Sequence, residues 1–198
     1  MKNRCPWVGD KEIYIDYHDK EWGRQVHDDQ KLFEQLILEG MQAGLSWLTI
    51  FKKREAFRKA FDGFDPEKVA LYDEKKYEEL LNNEGIVRNR LKIKAAINNA
   101  KLFLEIVNEY GSFDKFIWGY VDNKPIVNKF KRIEDFPLTT AISDNISKDL
   151  KKRGFNFVGS TIIYSFMQAT GMVNDHFIDC FVYEELTKSK YDLSNSSY

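Results

Sequence analysis

The chain is predicted to be all-α, on three observations. Apolar residues recur at helical spacing in nearly every long segment, and cap residues stand where those stripes begin. Strand-like patterning is confined to "EIYIDYH" (12–18) and "NKPIVN" (123–128), both too short to build a sheet alone. Taken in order, "DDQKLFEQLILEG" sets Leu32, Phe33, Leu36 and Ile37 on one stripe behind an aspartate cap, with Gly40 expected to end the helix. "SWLTIFKKREAFRKAF" starts at Ser46 as N-cap and runs to about Phe61. "DPEKVALY" opens with Asp65 as cap and Pro66 at the first helical position. "DEKKYEELLNN" is a short helix, and the turn "EGIVRN" leads into the long amphipathic "RLKIKAAINNAKLFLEIVNEYG", which closes on Gly111. "SDNISKDLKKRG" and "GSTIIYSFMQATG" supply two more capped helices.

With 198 residues, 43% of them hydrophobic, the chain can bury a core without covalent staples. One domain is expected over residues 1–187, built as two interlocked helical lobes, with 188–198 as a loose polar tail. No run approaches the length of a membrane span. "MKNRCPWVGDKEIY" has no apolar core of a signal peptide, so a reducing cytoplasm is the expected setting for the two cysteines.

The net charge of −1 carries no global basic signature, but its distribution is uneven. Residues 40–54, 85–104 and 150–174 contain no acid, while the acids crowd stretches such as "DPEKVALYDEKKYEELLNNE". Each basic run alone reads as a solvated helix face. Three windows that exclude acids fit a polyphosphate partner, which repels carboxylates as strongly as it attracts lysines. In the middle window, a helix, a turn with Gly85 and a second helix beginning at Arg88 and Arg90 form a hairpin. It is either an ordinary helical pair or a grip on a nucleic-acid backbone, held by amides at the second helix start.

The N-terminal quarter holds Trp7, Tyr14, Tyr17, Trp22 and Trp47. Any one of them can be core. Glu39 lies at the margin of an apolar stripe beside Gly40 and Ala43, and it is either a surface carboxylate or one walled in by rings. A walled-in carboxylate needs a partner. A flat polar aromatic ligand supplies one, as in the reading of a flipped base by stacking and one acceptor.

His176 and Cys180 stand four apart and are expected to share a helix face, so that both point at one centre. Cys5 and His18 are separated by twelve residues at the other end of the chain. Two cysteines and two histidines complete a zinc tetrahedron. The spacing is not that of a zinc finger, so unrelated buried thiols and histidines remain the alternative. If they do form a site, it is closed by four protein ligands and is structural.

Together, "RCPWVGDKEIYIDYHDKEWG", "LFEQLILEGMQAGLSWLTIFKKRE", "GIVRNRLKIKAAINNA", "LKKRGFNFVGSTIIYSFMQATGMVNDH" and Cys180 closely resemble the 3-methyladenine DNA glycosylase I family. That family is a zinc-bearing branch of the helix-hairpin-helix glycosylases, and the resemblance runs from Arg4 to about Tyr183. It implies one structural zinc on Cys5, His18, His176 and Cys180. It implies that Glu39 and Tyr17 hydrogen-bond the excised base, that Trp47 stacks on it, and that Trp7, Tyr14 and Trp22 line or support its pocket. Leu45 would wedge into the duplex with Gln42 beside it. The hairpin around Gly85 to Arg90, with Arg88, would grip the backbone, although Val87 replaces the second glycine of the usual hairpin turn; Lys92, from the same basic window, is expected to add to that grip. No aspartate is assignable as a water-assisting residue, and the family is understood to lack one.

The resemblance thus implies a monofunctional glycosylase acting as a monomer on double-stranded alkylated DNA, with no membrane and no obligate protein partner. Two other readings compete. A non-catalytic lesion- or abasic-site-binding protein of the same fold would release no base, and a zinc hydrolase would need an open coordination position that four protein ligands deny.

Overall fold

A computed structural model describes residues 2–194, with side chains described through residue 188. The expected tail at 188–198 therefore falls largely outside the described side chains. Ten α-helices, four short 3-10 helices and one pair of two-residue strands are present among the described residues. The chain folds into two compact units, one of residues 1–25, 124–138 and 167–198, the other of residues 26–123 and 139–166.

The larger unit is helical for the reasons its sequence supplies. α2 (Asp29–Gln42) begins where Asp28 accepts from the Lys31 amide. α3 (Trp47–Ala60) begins where Ser46 accepts from Thr49. α4 (Pro66–Ala70) and α5 (Glu74–Asn82) start on Asp65 and Asp73. α6 (Arg90–Tyr110) is capped by Asn89 and closed by Gly111 in the left-handed region at φ 85°. These side chains satisfy the amide donors that every helix start leaves open. α7 (Phe113–Trp118) was not expected from the sequence. Asp29 caps it from a distance, accepting from the Phe113 and Asp114 amides at 2.9 and 2.8 Å. α8 (Ala141–Lys152) and α9 (Ser160–Ala169) complete the helices that begin in this unit.

Its core is aromatic. Phe33 meets Phe103 edge-on at 5.1 Å, and Phe103 stacks on Phe113 at 4.3 Å. All three are fully buried, each contributing about 2–3 kcal/mol of transfer free energy. Gly40 does not end α2, which continues to Gln42. It is buried, and a Cβ there would lie 3.2 Å from Cβ of Phe157, tighter than ordinary contact.

The smaller unit departs from expectation at its start. "EIYIDYH" is not a strand but part of α1 (Glu12–Lys20). The spacing of Tyr14, Tyr17 and His18 is that of one helical face, and Tyr17 and His18 are buried. "NKPIVN" does hold β1 (Ile126–Val127), which pairs in parallel with β2 (Val173–Asn174), Ile126 opposite Val173. α10 (Phe181–Ser194) closes the unit.

Candidate metal centre and base-recognition residues

β2 delivers the chain to His176. The preceding Asp175 is fully buried and accepts from Asn128 Nδ2 at 2.7 Å and Gln168 Nε2 at 2.9 Å. His176 and Cys180 do not share a helix face. They lie in the turn before α10, closed by the Cys180 amide donating to the Phe177 carbonyl at 2.8 Å. The Ile178 amide is taken by the Phe130 carbonyl and the Phe181 amide by the Asn3 carbonyl, which holds this turn against the chain start that carries Cys5.

Cys5, His18, His176 and Cys180 are all buried, and their ligand atoms lie within 4.8 Å of one another. Cys180 Sγ is 3.4 Å from His18 Nε2 and 3.7 Å from His176 Nδ1, and Cys5 Sγ is 3.6 Å from His176 Nδ1. Each histidine is oriented from behind. His18 Nδ1 lies 2.8 Å from Asp19 Oδ1, and His176 Nε2 lies 3.0 Å from the Trp22 carbonyl. Both partners are acceptors, so each outer nitrogen carries the proton and each inner nitrogen turns a lone pair toward the thiols. Gly23 permits the second contact, because at its φ of 76° a Cβ would come within 2.8 Å of His176 Nε2.

Asp19 is itself fixed by Arg4, which donates through Nε and Nη2 at 2.8 and 2.7 Å. Arg4 first, with His18 adding, holds the Asp19 carboxyl down at about 2. The two cysteines are thiols rather than a disulfide. A hydrogen bond from Cys5 pulls Cys180 far below the ordinary thiol range, with His176 and His18 pulling the same way. Cys5 is raised by the same contact and by burial. Two buried sulfurs, Cys180 the readier to lose its proton, facing two inward lone pairs can hold a metal ion.

Around this cluster stand the expected aromatics of the smaller unit. Trp7 meets Trp22 edge-on at 5.0 Å, Tyr14 at 6.4 Å and His18 at 5.5 Å. The buried Trp7 Nε1 has no hydrogen-bond partner among the described residues. Tyr17 is buried on α1.

In the larger unit, Glu39 is 4% exposed and accepts from Gln35 Nε2 at 2.8 Å, one turn earlier on α2. Burial pushes its carboxyl up to about 8, with Gln35 opposing. Trp47 is half-buried at the start of α3, edge-on to Phe51 at 4.9 Å. Leu45 is 41% exposed in the turn between the two helices, three residues after half-buried Gln42.

The hairpin residues separate into two kinds. Arg88 and Arg90 are exposed at the start of α6. Gly85 instead serves packing, since a Cβ there would meet Ala56 Cβ at 3.0 Å. Lys92, expected to face a phosphate backbone, is buried. Its ammonium donates to the Met41 and Ala43 carbonyls at 2.7 and 2.6 Å. In the third acid-free window Arg153 is taken by Glu109 and Asp149, which leaves Lys151 and Lys152 exposed. Among the described residues no helix is long and apolar enough to cross a membrane.

Sequence reasoning missed Arg4, Asp19 and Gln35. Asp19 adjoins a candidate ligand and Gln35 precedes Glu39 by one helical turn, so both positions were open to it.

Residues 7–183 match the family model described as methyladenine glycosylase. The chain is 50% identical over 180 residues to the DNA-3-methyladenine glycosylase of Haemophilus influenzae, covering 91% of this chain and 97% of that one. It is 49% identical over 180 residues to DNA-3-methyladenine glycosylase 1 of Escherichia coli K12, covering 91% and 96%. Among solved structures, 3-methyladenine DNA glycosylase I from Staphylococcus aureus, determined for its recognition of 3-methyladenine, superposes with a TM-score of 0.88 at 40% identity. That match covers 91% of this chain and 96% of that one.

Proposed function

The chain belongs to the methyladenine glycosylase family, and from that premise we propose that it is a monofunctional DNA glycosylase that releases 3-methyladenine from alkylated DNA, acting as a monomer. The observation that carries the reading is Glu39, a carboxyl buried at 4% exposure and held near neutrality by that burial. Such a group gains most from a ligand that brings an amine donor and positive charge. N3-methylated adenine brings both.

In this reading Glu39 accepts from the exocyclic amine and Trp47, on the same unit, stacks on the ring. The base-binding roles proposed for Tyr17, Trp7, Tyr14 and Trp22 rest on the family resemblance alone. Leu45 enters the gap left by the extracted nucleotide, with Gln42 beside it, while Arg88 and Arg90 hold phosphates. The methylated base carries its charge before the bond breaks, so it departs neutral and needs no proton donor. The protein's task reduces to extracting the nucleotide, holding the base and stabilising cationic sugar character. Normal purines lack the charge and are spared. Water is the acceptor.

The metal in this reading is zinc. A tetrahedral zinc with Zn–S about 2.3 Å and Zn–N about 2.0–2.1 Å has sulfur–nitrogen edges of about 3.5 Å, and the three measured here are 3.4, 3.6 and 3.7 Å. Cys5, His18, His176 and Cys180 would fill all four positions, leaving none for substrate. Its contribution is to the fold.

Single-turnover excision tests the role of Glu39. Removing a charge-assisted hydrogen bond costs about 1.5–3 kcal/mol, roughly ten- to a hundredfold in rate. Glu39→Ala should lose that much and Glu39→Gln less, with metal content and abasic-duplex binding unchanged. A folded Glu39→Ala that excises at the wild-type rate removes Glu39 from the mechanism.

A further inference from the structure

Lys92 lies in the first turn of α6, inside a basic run, yet it is only 7% exposed. Its ammonium reaches the Met41 and Ala43 carbonyls at 2.7 and 2.6 Å. The first belongs to the last turn of α2, where carbonyls lack intrahelical partners and the helix dipole favours a cation. The second belongs to the connection that follows. Ala43 sits at φ −44°, ψ 115°, Gly44 at φ 78°, and the Leu45 amide donates to the Gln42 carbonyl at 2.6 Å. These angles define a type II β-turn over residues 42–45, with glycine where that turn requires positive φ.

Type I and type II turns differ by a flip of the central peptide, here Ala43–Gly44. The carbonyl of that peptide is the one Lys92 holds. A type I turn would point it away from the ammonium and leave the buried cation with one partner fewer.

We propose that Lys92 is a positioning residue that locks the Ala43–Gly44 peptide in its type II orientation and so fixes the direction in which Leu45 projects. A second lysine braces the same region in reverse. Lys53, on the helix that follows Leu45, donates to the Glu84 and Gly85 carbonyls of the α5–α6 turn at 2.9 and 3.3 Å. The turn bearing Leu45 and the hairpin bearing Arg88 and Arg90 are thus tied by two lysines, each set in one element and gripping backbone of the other. What Leu45 does to DNA rests on the glycosylase reading; the turn geometry does not.

The test compares full-length Lys92→Met, Gly44→Ala, Leu45→Ala and the Lys92→Met/Leu45→Ala double variant. A Cβ at Gly44 meets nothing within 4 Å, so Gly44→Ala acts through φ alone and serves if Lys92→Met does not fold. Releasing a local turn should speed hydrogen exchange at the Leu45 amide by about tenfold or more in Lys92→Met and Gly44→Ala. Excision from duplex should fall by about tenfold, while affinity for free 3-methyladenine stays within about twofold. The double variant should be no worse than the poorer single variant, because both remove one device. Unchanged Leu45 exchange overturns the proposal, as do losses that multiply in the double variant, or free-base affinity that falls in step with excision. If the wild-type protein releases no base, the glycosylase reading fails by itself. Leu45 exchange and the same cycle measured on abasic-duplex binding then decide the proposal.

Discussion

Replacing Glu39 by glutamine should stabilise the protein, and more so as the pH rises. Burial raises the Glu39 carboxyl from 4.5 to about 8, so between those values the folded state keeps a proton that the unfolded chain has released. Folding stability therefore falls as pH rises through that window. At about 1.4 kcal/mol per pKa unit the penalty above pH 8 has a ceiling of about 5 kcal/mol. Water entry and local relaxation reduce it, and about 2 kcal/mol is the working figure. Glutamine does not titrate, is nearly isosteric, and can accept through its carbonyl the bond that Gln35 Nε2 now donates at 2.8 Å. The two proteins should melt together at pH 5 and separate by roughly 4–8 °C at pH 8.5, glutamine higher. Other titrating groups are common to both and cancel in the difference. Thermal melts from pH 5 to 9 measure it. A separation that does not change with pH refutes the buried-carboxyl argument, and a wild-type protein that gains on glutamine as pH rises reverses its sign.

Metal analysis of protein purified without chelator should give about one zinc per chain, and Cys180→Ser should lose metal and melting temperature together. Asp19→Asn, which loosens His18 from behind, should weaken metal affinity by about ten- to a hundredfold without removing a ligand, as a competing chelator would report. Neutralising Arg88 and Arg90 should reduce the log–log salt slope of duplex binding by roughly two, without changing base choice. Adding Lys92→Met should leave the slope where it stood, since that ammonium is spent on carbonyls.

Where the sequence was legible, the determinants are local. Asp28, Ser46 and Asp65 cap the helices they precede, and Gly111 closes α6, because a cap acts within one turn of its own backbone. The four residues of the buried cluster stood out by type, since the chain has two cysteines and three histidines. The turn that brings His176 to Cys180 did not, because it is set by Asn3 and Phe130, far away in sequence. Lys92 shows the limit most plainly. In a basic window beside Arg90 it reads as a surface cation, and only the placement of α2 against α6 turns it inward. Gly40 reads as a stop for the same reason, when it is in fact room for Phe157.

The most direct test of the function is to incubate the wild-type protein with methylated duplex DNA and separate the released bases by chromatography. The expected product is 3-methyladenine, with unmethylated adenine and guanine left in place and abasic sites in an uncut strand. Binding to the same DNA without release of any base would contradict the glycosylase reading and leave a lesion-binding protein in its place.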